Sequence, residues 1–397
     1  MKNFSRNFER GLLASACLAA AALLAACGGG SDPAGPRVAI SRVIVAGDSL
    51  ADVGTFGYKF TVQNAADPAA GFPIYPQIVA SNFGITSQCN FYKFTGTTFI
   101  QNPTAGCTNF AIGGGRVVVP ASSGGAASPL GVPLQLSTAA SVVGGTYAAT
   151  DLVVVDGGGN DAADLVGAYL GAARGGAGVT AYQAFLAQQL PPATIAATLP
   201  QPNGAATLAG MYMTALADTY YNAIKASVLD KGATHVAVLN VPDITLTPRF
   251  QAVLAGVAAA NGGGTAGATA SAQLKGAIQQ WIQAFNTELS GKVAGDARVA
   301  LVPFYEDFTD EVSHPVEYGL SNVTQAACPV KGTDSSGLPA YDFPTCTSAA
   351  LDAAPPAGLT AGWWQTWTFS DGFHPTPYGH RLLASSISRA LARAGWI

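Results

Sequence analysis

"VIVAGDSLADVG", residues 43–54, contains an apolar run that stops on a glycine, an aspartate and a serine. A continuous apolar run followed by turn-forming residues is typical of a buried parallel strand and the turn after it. A turn alone explains Gly47 and Asp48. A nucleophile explains Ser49 as well, because open α/β sheets carry their functional sites at the carboxyl ends of their strands. This interpretation requires a base, an acid that orients the base, and oxyanion donors elsewhere in the chain.

The composition indicates a large globular α/β chain without a nucleic-acid partner. The 397 residues are enough for one large domain or two smaller ones. Charged residues make up 11% of the chain, well below the roughly 25% of an average soluble domain. The net charge is −4 and no basic cluster occurs beyond the N-terminal segment, so binding to phosphate backbones is not expected.

Residues 1–26 have the pattern of a signal peptide rather than of a folded element. Three basic residues flank the start of the small and apolar stretch 11–26, which is short for a membrane span. Leu-Ala-Ala-Cys at 24–27 resembles a bacterial lipobox, so Cys27 is a candidate lipidation site at the start of a flexible tether, 27–37. An ordinary secretory signal cleaved near the same alanines is the alternative. We expect an exported protein: an outer-membrane or cell-surface lipoprotein that contacts the membrane through its lipid, or a periplasmic or secreted one.

Four cysteines remain after this leader: Cys89, Cys107, Cys328 and Cys346. An even number in an exported chain predicts disulfides, and four cysteines allow three pairings. We favour Cys89–Cys107 and Cys328–Cys346, because each pair is 18 positions apart and encloses a segment rich in turn-forming and polar residues. A zinc site is the alternative, and the lack of a Cys-x-x-Cys motif and of a nearby histidine argues against it.

Strands alternate with helices along residues 38–397, which predicts one α/β domain with a parallel sheet covered on both faces. Glycine-rich segments around 113–126, 171–178 and 256–270 are expected to be loops or insertions. The predicted strands are 38–46, 151–155, 236–240 and 299–303, and the predicted helices are 74–82, 208–229, 274–293 and 378–394.

The segment FSDGFHPTPYGH, residues 369–380, supplies the candidate base. Asp371 and His374 are three residues apart, with a glycine and a proline beside them, which predicts a turn. At that spacing the Asp371 carboxylate can accept the Nδ1–H of His374 and fix the tautomer in which Nε2 takes the serine proton. A surface turn with a solvated ion pair is the alternative. The aromatic run at 363–369 argues against it, because it should bury the pair beside the sheet.

Two glycine-bearing segments and the candidate nucleophile offer donors for an oxyanion. The backbone N–H of Ser49 is the first. The segment TNFAIGGGR, residues 108–116, offers Gly114, with Gly113 as the neighbouring alternative, because glycine backbone can approach a substrate closely. Asn160 follows a predicted strand and three glycines, and its side-chain amide is the third donor. Capping a helix and shaping the glycine turn are alternative roles for Asn160.

The motifs GDSLADVG, NFAIGGG, GGND and DGFHPT occur in this order, and with them the chain resembles the SGNH hydrolases, also called the GDSL lipase/esterase family. It looks most like the longer bacterial members grouped with lecithinases, hemolysins and phospholipases. The resemblance implies a flavodoxin-like three-layer α/β/α sandwich with a central parallel sheet, which hydrolyses esters without metal or cofactor. It implies Ser49 as nucleophile, His374 as base and Asp371 as the acid that orients the base. It also implies Ser49, Gly114 and Asn160 as oxyanion donors.

The sequence leaves three functions open. The first is a carboxylesterase or lipase acting on lipid or short-acyl esters, including phospholipids. The second is an acyltransferase or glycan O-deacetylase of the same fold, and the third is a non-catalytic surface lipoprotein that kept the fold. Insertions at 171–202 and 253–272 are candidates for a lid or a lipid-facing edge. The candidate acyl-pocket residues are Phe72, Ile74, Tyr75, Trp363, Trp364 and Trp367.

Overall fold

The structure, a computed structural model, describes residues 38–397. The predicted signal peptide (1–26), the tether (27–37) and the candidate lipidation site Cys27 lie outside the described residues. The strands are β1 (Arg42–Ala46), β2 (Tyr92–Phe94), β3 (Phe99–Gln101), β4 (Asp151–Val155), β5 (Val236–Leu239), β6 (Val299–Val302), β7 (Asn322–Ala326), β8 (Gly332–Thr333), β9 (Pro339–Ala340) and β10 (Trp367–Phe369). The helices are α1 (Tyr75–Ser81), α2 (Val132–Val142), α3 (Gly159–Ala172), α4 (Ala177–Leu186), α5 (Pro192–Thr198), α6 (Gly204–Ser227), α7 (Pro248–Ala260), α8 (Gly264–Val293), α9 (Phe304–Ser313), α10 (Ser348–Ala353) and α11 (Pro377–Arg393).

A parallel sheet with the strand order β1-β4-β5-β6 forms the centre of the fold. All three pairings are parallel, so the carboxyl ends of the four strands reach the same edge. On the free side of β1, Asn109 forms a parallel bridge with Val45 and marks a fifth, very short strand position. With this position counted second along the chain, the order becomes 2-1-3-4-5, which is the flavodoxin-like order. The predicted α/β class and the predicted parallel sheet are confirmed.

Helices bury both faces of the sheet, which gives the fold its three layers. Alternate strand side chains, among them Ile44, Val153 and Val236, belong to one apolar cluster with residues of α2, α6 and α8. The side chains between them, such as Val45 and Val154, are also fully buried. Helices α1 and α11 pack against each other and contact β1 and β6 respectively. A strand buried on both faces needs a continuous apolar run, which is why the sequence identified these strands.

The two insertions are more helical than their glycine content predicted. Loops or insertions were expected at 256–270, and α7 and α8 occupy this segment except for residues 261–263. At 171–178 only residues 173–176 lie outside α3 and α4. Only the short junctions between helices are loops in these two segments, because alanine has the highest helix propensity and is abundant in both. The glycines between the helices, such as Gly262 with φ of +82°, end one helix and let the chain turn into the next.

Both predicted disulfides are present. Cys89 is bonded to Cys107 with Cα atoms 4.7 Å apart, and Cys328 is bonded to Cys346 with Cα atoms 5.4 Å apart. The second bond lies inside a smaller apolar cluster of buried residues. All four thiols are therefore occupied, and the zinc alternative is not supported. From residue 38 onward, no three or more histidine, cysteine or acidic side chains are grouped to hold a metal ion. In the same part of the chain, no helix is both long enough and apolar enough to cross a bilayer.

Candidate active site

Ser49 stands in the turn directly after β1, at the carboxyl edge of the sheet. Side chains from other segments hold the backbone just before it. The Gly47 amide donates to Oε1 of Gln135 and the Asp48 amide donates to Oδ1 of Asp156, both at 2.8 Å. Asp156 follows β4, so the turn lies between β1 and β4, which is the topological switch point of this strand order. Ser49 therefore occupies the position where open sheets of this order bind their ligands.

The imidazole of His374 connects Ser49 to Asp371. Its Nε2 lies 2.8 Å from Oγ of Ser49, and its Nδ1 lies 2.9 Å from Oδ2 of Asp371. The backbone amides of Phe373 and His374 both donate to Oδ1 of Asp371, at 2.8 and 2.6 Å. The Phe60 ring packs against the imidazole with ring centres 5.1 Å apart. The structure therefore brings the three predicted residues into one hydrogen-bonded chain.

The surroundings of Asp371 determine which nitrogen of His374 carries a hydrogen. Burial raises the pKa of Asp371, but the attraction of His374 when its ring is protonated, and the hydrogen bonds from His374 and the Phe373 amide, outweigh it, so this pKa lies below its usual value. An ionised carboxylate only accepts hydrogen bonds, so Nδ1 of His374 is the donor and Nε2 presents a lone pair to Ser49. The His374 and Asp371 side chains are 13% and 12% exposed, which contradicts a solvated surface pair. This arrangement can take the hydroxyl proton of Ser49.

The structure distinguishes between the two candidate glycine donors. The Gly113 amide donates to Oδ2 of Asp52 at 2.8 Å, so this amide is already engaged. Within residues 38–397, no atom accepts a hydrogen bond from the backbone amide of Ser49 or from that of Gly114. The glycine segment lies directly against the nucleophile turn, because a β-carbon at Gly115 would be only 2.6 Å from a backbone oxygen of that turn. Gly114 rather than Gly113 therefore offers a free N–H beside Ser49.

Asn160 is the second residue of α3, and its side chain crosses to the glycine segment. Its Nδ2 donates to the carbonyl oxygen of Gly115 at 2.9 Å, with a longer contact of 3.4 Å to Oδ2 of Asp48. The helix begins at Gly159 and no side chain caps this end, so the capping role is not supported. One amide hydrogen of Asn160 is thus engaged with Gly115. The other makes only the longer contact with Asp48.

Arg116 holds the glycine segment and was not identified from the sequence. Its guanidinium donates to the carbonyl oxygen of Gly114, and its Nε lies 2.6 Å from Oδ2 of Asp164 on α3. Gly114 has φ of +80°, a backbone conformation that residues with a β-carbon rarely adopt. Arg116 therefore fixes a peptide beside the nucleophile. The conformation of this peptide would be strained for most residues other than glycine. The place of Arg116 directly after three glycines was the only signal in the sequence.

Asp156 is a second supporting residue that the sequence analysis missed. It is buried, and besides the Asp48 amide it accepts the Tyr75 hydroxyl on Oδ2 at 2.6 Å. Burial, reinforced by the neighbouring Asp48 carboxylate, raises the pKa of Asp156 well above its usual value. The available signal was positional, because Asp48 and Asp156 each follow a buried strand and adjacent parallel strands end at one edge. The Tyr75 hydroxyl is therefore engaged by this carboxylate.

An apolar cavity of about 50 Å³ lies beside Ser49, which is one of its lining residues. Its apolar walls include Leu239, Ile244, Phe304, Phe308, Phe369 and Phe373. None of the six aromatic and aliphatic residues predicted to form an acyl pocket lines it. Trp364 and Trp367 instead belong to the smaller apolar cluster around the Cys328–Cys346 disulfide. The acyl-pocket residues stay a prediction, because aromatic content alone does not reveal which rings face a substrate.

The match to a protein-family model shows which family the chain belongs to. Residues 43–387 match the model of the family described as GDSL-like lipase/acylhydrolase. No curated protein sequence matches the chain. Among solved structures, the chain is similar to the extracellular lipase of Streptomyces rimosus, with 15% sequence identity and a TM-score of 0.38. That match covers 88% of this chain and 99% of the lipase chain.

Proposed function

Because the chain belongs to the GDSL-like lipase/acylhydrolase family, it is an ester-type hydrolase, and we propose that it cleaves carboxylic esters through an acyl-enzyme on Ser49. The observation that carries this proposal is the hydrogen-bonded chain from Ser49 through His374 to Asp371. A surface protein that kept only the fold would not need these three side chains in line. The free amides of Ser49 and Gly114 add support, because unpaired donors beside a nucleophile suit an anionic intermediate.

The proposed reaction has two steps. Oγ of Ser49 attacks the ester carbonyl while Nε2 of His374 takes the hydroxyl proton, and Asp371 stabilises the resulting imidazolium. The negative charge that develops on the carbonyl oxygen is bound by the amides of Ser49 and Gly114 and by the side chain of Asn160. His374 then donates its proton to the leaving alcohol. In the second step water attacks the acyl-enzyme, assisted by His374, and the carboxylic acid is released.

Replacing Ser49 by alanine tests this proposal. We expect the variant to lose ester hydrolysis and covalent labelling by a fluorophosphonate, with an unchanged circular dichroism spectrum. Ser137→Ala, at an exposed position on α2, is the matched control and should keep both activities. Labelling of the Ser49→Ala variant at another serine would contradict the proposal. Product analysis with an added alcohol acceptor separates hydrolysis from acyl transfer, because both reactions use the same acyl-enzyme.

We also propose that the protein is exported and anchored to a membrane through a lipid on Cys27. The support is the Leu-Ala-Ala-Cys sequence at 24–27, after a basic and then apolar leader. Cys27→Ser should move the protein from the membrane fraction to the soluble fraction, since the thioether to the lipid cannot form. A wild-type protein that is soluble, with a free N-terminus downstream of Cys27, would support ordinary signal cleavage instead.

A further inference from the structure

We propose that Phe60 is a positioning residue whose ring sets the spacing between the base His374 and the glycine segment that carries Gly114. This inference rests on the proposed acyl-enzyme mechanism and adds a residue to it. The centre of the Phe60 ring lies 5.1 Å from the centre of the imidazole of His374, and the same ring packs on the backbone of Gly113. One side chain therefore touches both the group that takes the serine proton and the segment that offers an oxyanion donor.

The imidazole of His374 needs packing as well as its hydrogen bond to Asp371. That bond holds Nδ1 at one corner of the ring and leaves the ring able to swing about this corner. The Phe60 ring is inclined to the imidazole plane by 34°, and the Phe343 ring meets the imidazole edge to face, with ring centres 5.5 Å apart. Phe60 and Phe343 also contact each other edge to face. Because a displacement of about 1 Å can cost roughly 100-fold in rate, these contacts matter for catalysis.

The same ring lies directly on the glycine segment. A β-carbon at Gly113 would be 2.1 Å from Cζ of Phe60, whereas carbon atoms in contact are about 3.5–4.0 Å apart. Gly113 does not have a positive φ, so this position requires glycine because the Phe60 ring occupies the place of a side chain. The Gly113 amide is held by Asp52, and the next amide is the free donor of Gly114. The Phe60 ring therefore separates the glycine segment from the imidazole by a fixed distance.

The backbone on both sides of Phe60 is anchored, which makes its ring a fixed spacer. The Lys59 side chain is buried, and its ammonium donates to two backbone carbonyl oxygens and one side-chain oxygen. On the other side, Oγ1 of Thr61 donates to the carbonyl oxygen of Pro375, the residue after His374, at 2.9 Å. The chain around Phe60 thus runs beside the turn that carries the base. A ring attached to this backbone holds the imidazole and the glycine segment in a constant relation.

Phe60→Leu is the first test, because leucine keeps an apolar side chain but lacks the ring atoms that reach the imidazole and Gly113. We expect kcat to fall by roughly tenfold or more with little change in KM, because the base and the oxyanion donors lose their alignment. Phe94→Leu is the matched control. Phe94 is also half-buried and also packs on Phe56, but its other aromatic neighbour is Phe99 rather than the imidazole. Wild-type kcat in folded Phe60→Leu, or an equal loss in Phe94→Leu, would overturn the proposal.

Folding and the underlying mechanism are checked separately. Circular dichroism and the melting temperature verify that each variant is folded. If Phe60→Leu does not fold, Phe60→Met takes its place, because methionine fills a similar volume without a flat ring, and the same loss of kcat is expected. If the wild type cleaves no ester in a Ser49-dependent manner, the proposed function fails. If the wild type does so and the Phe60 variant keeps its kcat, only the role of Phe60 fails.

The leaving alcohol distinguishes a displaced base from a general loss of activity. His374 must protonate an alkyl alcohol as it leaves, whereas p-nitrophenolate departs without a proton. We expect Phe60→Leu to lower kcat/KM for an ethyl ester by roughly threefold or more beyond its effect on the p-nitrophenyl ester of the same acid. Phe94→Leu should leave the ratio of the two values unchanged. An unchanged ratio in Phe60→Leu would overturn the proposal, because a purely structural role lowers both values alike.

Gly113→Ala tests the other contact of the ring. The added methyl group must displace the Phe60 ring or the glycine segment, so kcat should fall by roughly tenfold or more. In Phe60→Leu the space is open, so adding Gly113→Ala should lower kcat by no more than about twofold further. Non-additivity of this kind is expected for residues in direct contact. Additive losses in a folded double variant would overturn the proposal that Phe60 links the base to the glycine segment.

Discussion

Gly47 and Asp156 approach so closely that a β-carbon at residue 47 would lie 1.8 Å from Oδ1 of Asp156. That oxygen accepts the amide of Asp48, the residue directly before the nucleophile. Gly47 does not have a positive φ, so its position requires space rather than an unusual backbone conformation. The glycine after β1 is therefore needed because a carboxylate from the neighbouring strand occupies the place of its side chain.

Gly47→Ala should weaken both stability and catalysis. The added methyl group must displace Asp156, which breaks the hydrogen bond that fixes the turn before Ser49. We expect a loss of roughly 1–3 kcal/mol in the free energy of unfolding and a fall in kcat of roughly tenfold or more. Gly167→Ala is the control, because Gly167 is an exposed residue of α3 and a β-carbon there meets open space. Wild-type kcat in a folded Gly47→Ala variant would contradict this role of Asp156.

Asn160→Ala tests the oxyanion role of the amide. The charge on the carbonyl oxygen develops mainly in the transition state, so kcat should fall by roughly 10²–10³ with little change in KM. Loss of the bond to Gly115 should cost about 1 kcal/mol of stability. Asn160→Asp should be at least as damaging to kcat, since a carboxylate repels the oxyanion. A lowered melting temperature with a normal kcat would leave Asn160 a structural role only.

Arg116→Lys should lower kcat without a matching change in KM. Lysine keeps the charge but cannot pair with Asp164 and also donate to the Gly114 carbonyl in the same fork geometry. We expect a fall in kcat of roughly tenfold, because the Gly114 amide loses part of its fixed orientation. Arg298→Lys is the matched control, since Arg298 pairs with Asp296 at the amino end of β6, away from the site. Equal kcat values for the two variants would show that Gly114 needs no such support.

Removing either disulfide should destabilise the fold. Each bond closes a loop of 18 residues, for which the loop-entropy model gives about 3 kcal/mol. The double variants Cys89→Ser/Cys107→Ser and Cys328→Ser/Cys346→Ser should therefore each unfold at a lower denaturant concentration than the wild type. Reduction of the wild type breaks both bonds and should therefore give a larger shift than either variant, whereas reduction of a variant should affect only its remaining bond. Four free thiols in protein from an oxidising compartment would argue against both bonds.

Glu311 should make stability fall as pH rises. Burial, together with the charges of Asp307 and Asp310, raises its pKa to about 8, although Arg389 acts in the opposite direction. A carboxyl whose pKa is raised on folding stabilises fully below its unfolded pKa of about 4.5 and loses this contribution as pH passes through about 8. Glu311→Gln should therefore be more stable than the wild type at pH 9 by roughly 1–3 kcal/mol.

The measurement for Glu311 is a comparison of melting temperatures across pH 5 to pH 9. The wild type should lose stability over this range, and Glu311→Gln should lose less. Glu317→Gln, at an exposed position nearby, should follow the wild type. Parallel curves for the wild type and Glu311→Gln would mean that folding does not raise the pKa of Glu311.

Much of the fold was predictable because the central strands carry their own signal. Residues 151–155 are apolar after the first position and form β4 with the predicted bounds. The insertions were less predictable, because glycine occurs both in loops and at helix ends. The alanines between the glycines favour a helix. The cavity could not be located at all from the sequence. Its walls come from segments after five different strands, and a single ring such as Trp364 looks the same whether it faces core or substrate.

The sequence by itself determined the elements of the site whose partners are near in the chain. Ser49 follows a buried strand, and Asp371 and His374 share a turn, so local spacing was enough to expect each of them. Tertiary structure alone decided that Ser49 and His374, 325 residues apart, lie at hydrogen-bond distance. It also decided that Gly114 and not Gly113 has a free amide, because Asp52 takes the Gly113 donor. The physical reason is competition for hydrogen-bond partners and for space, which is settled between distant segments only when the chain is folded.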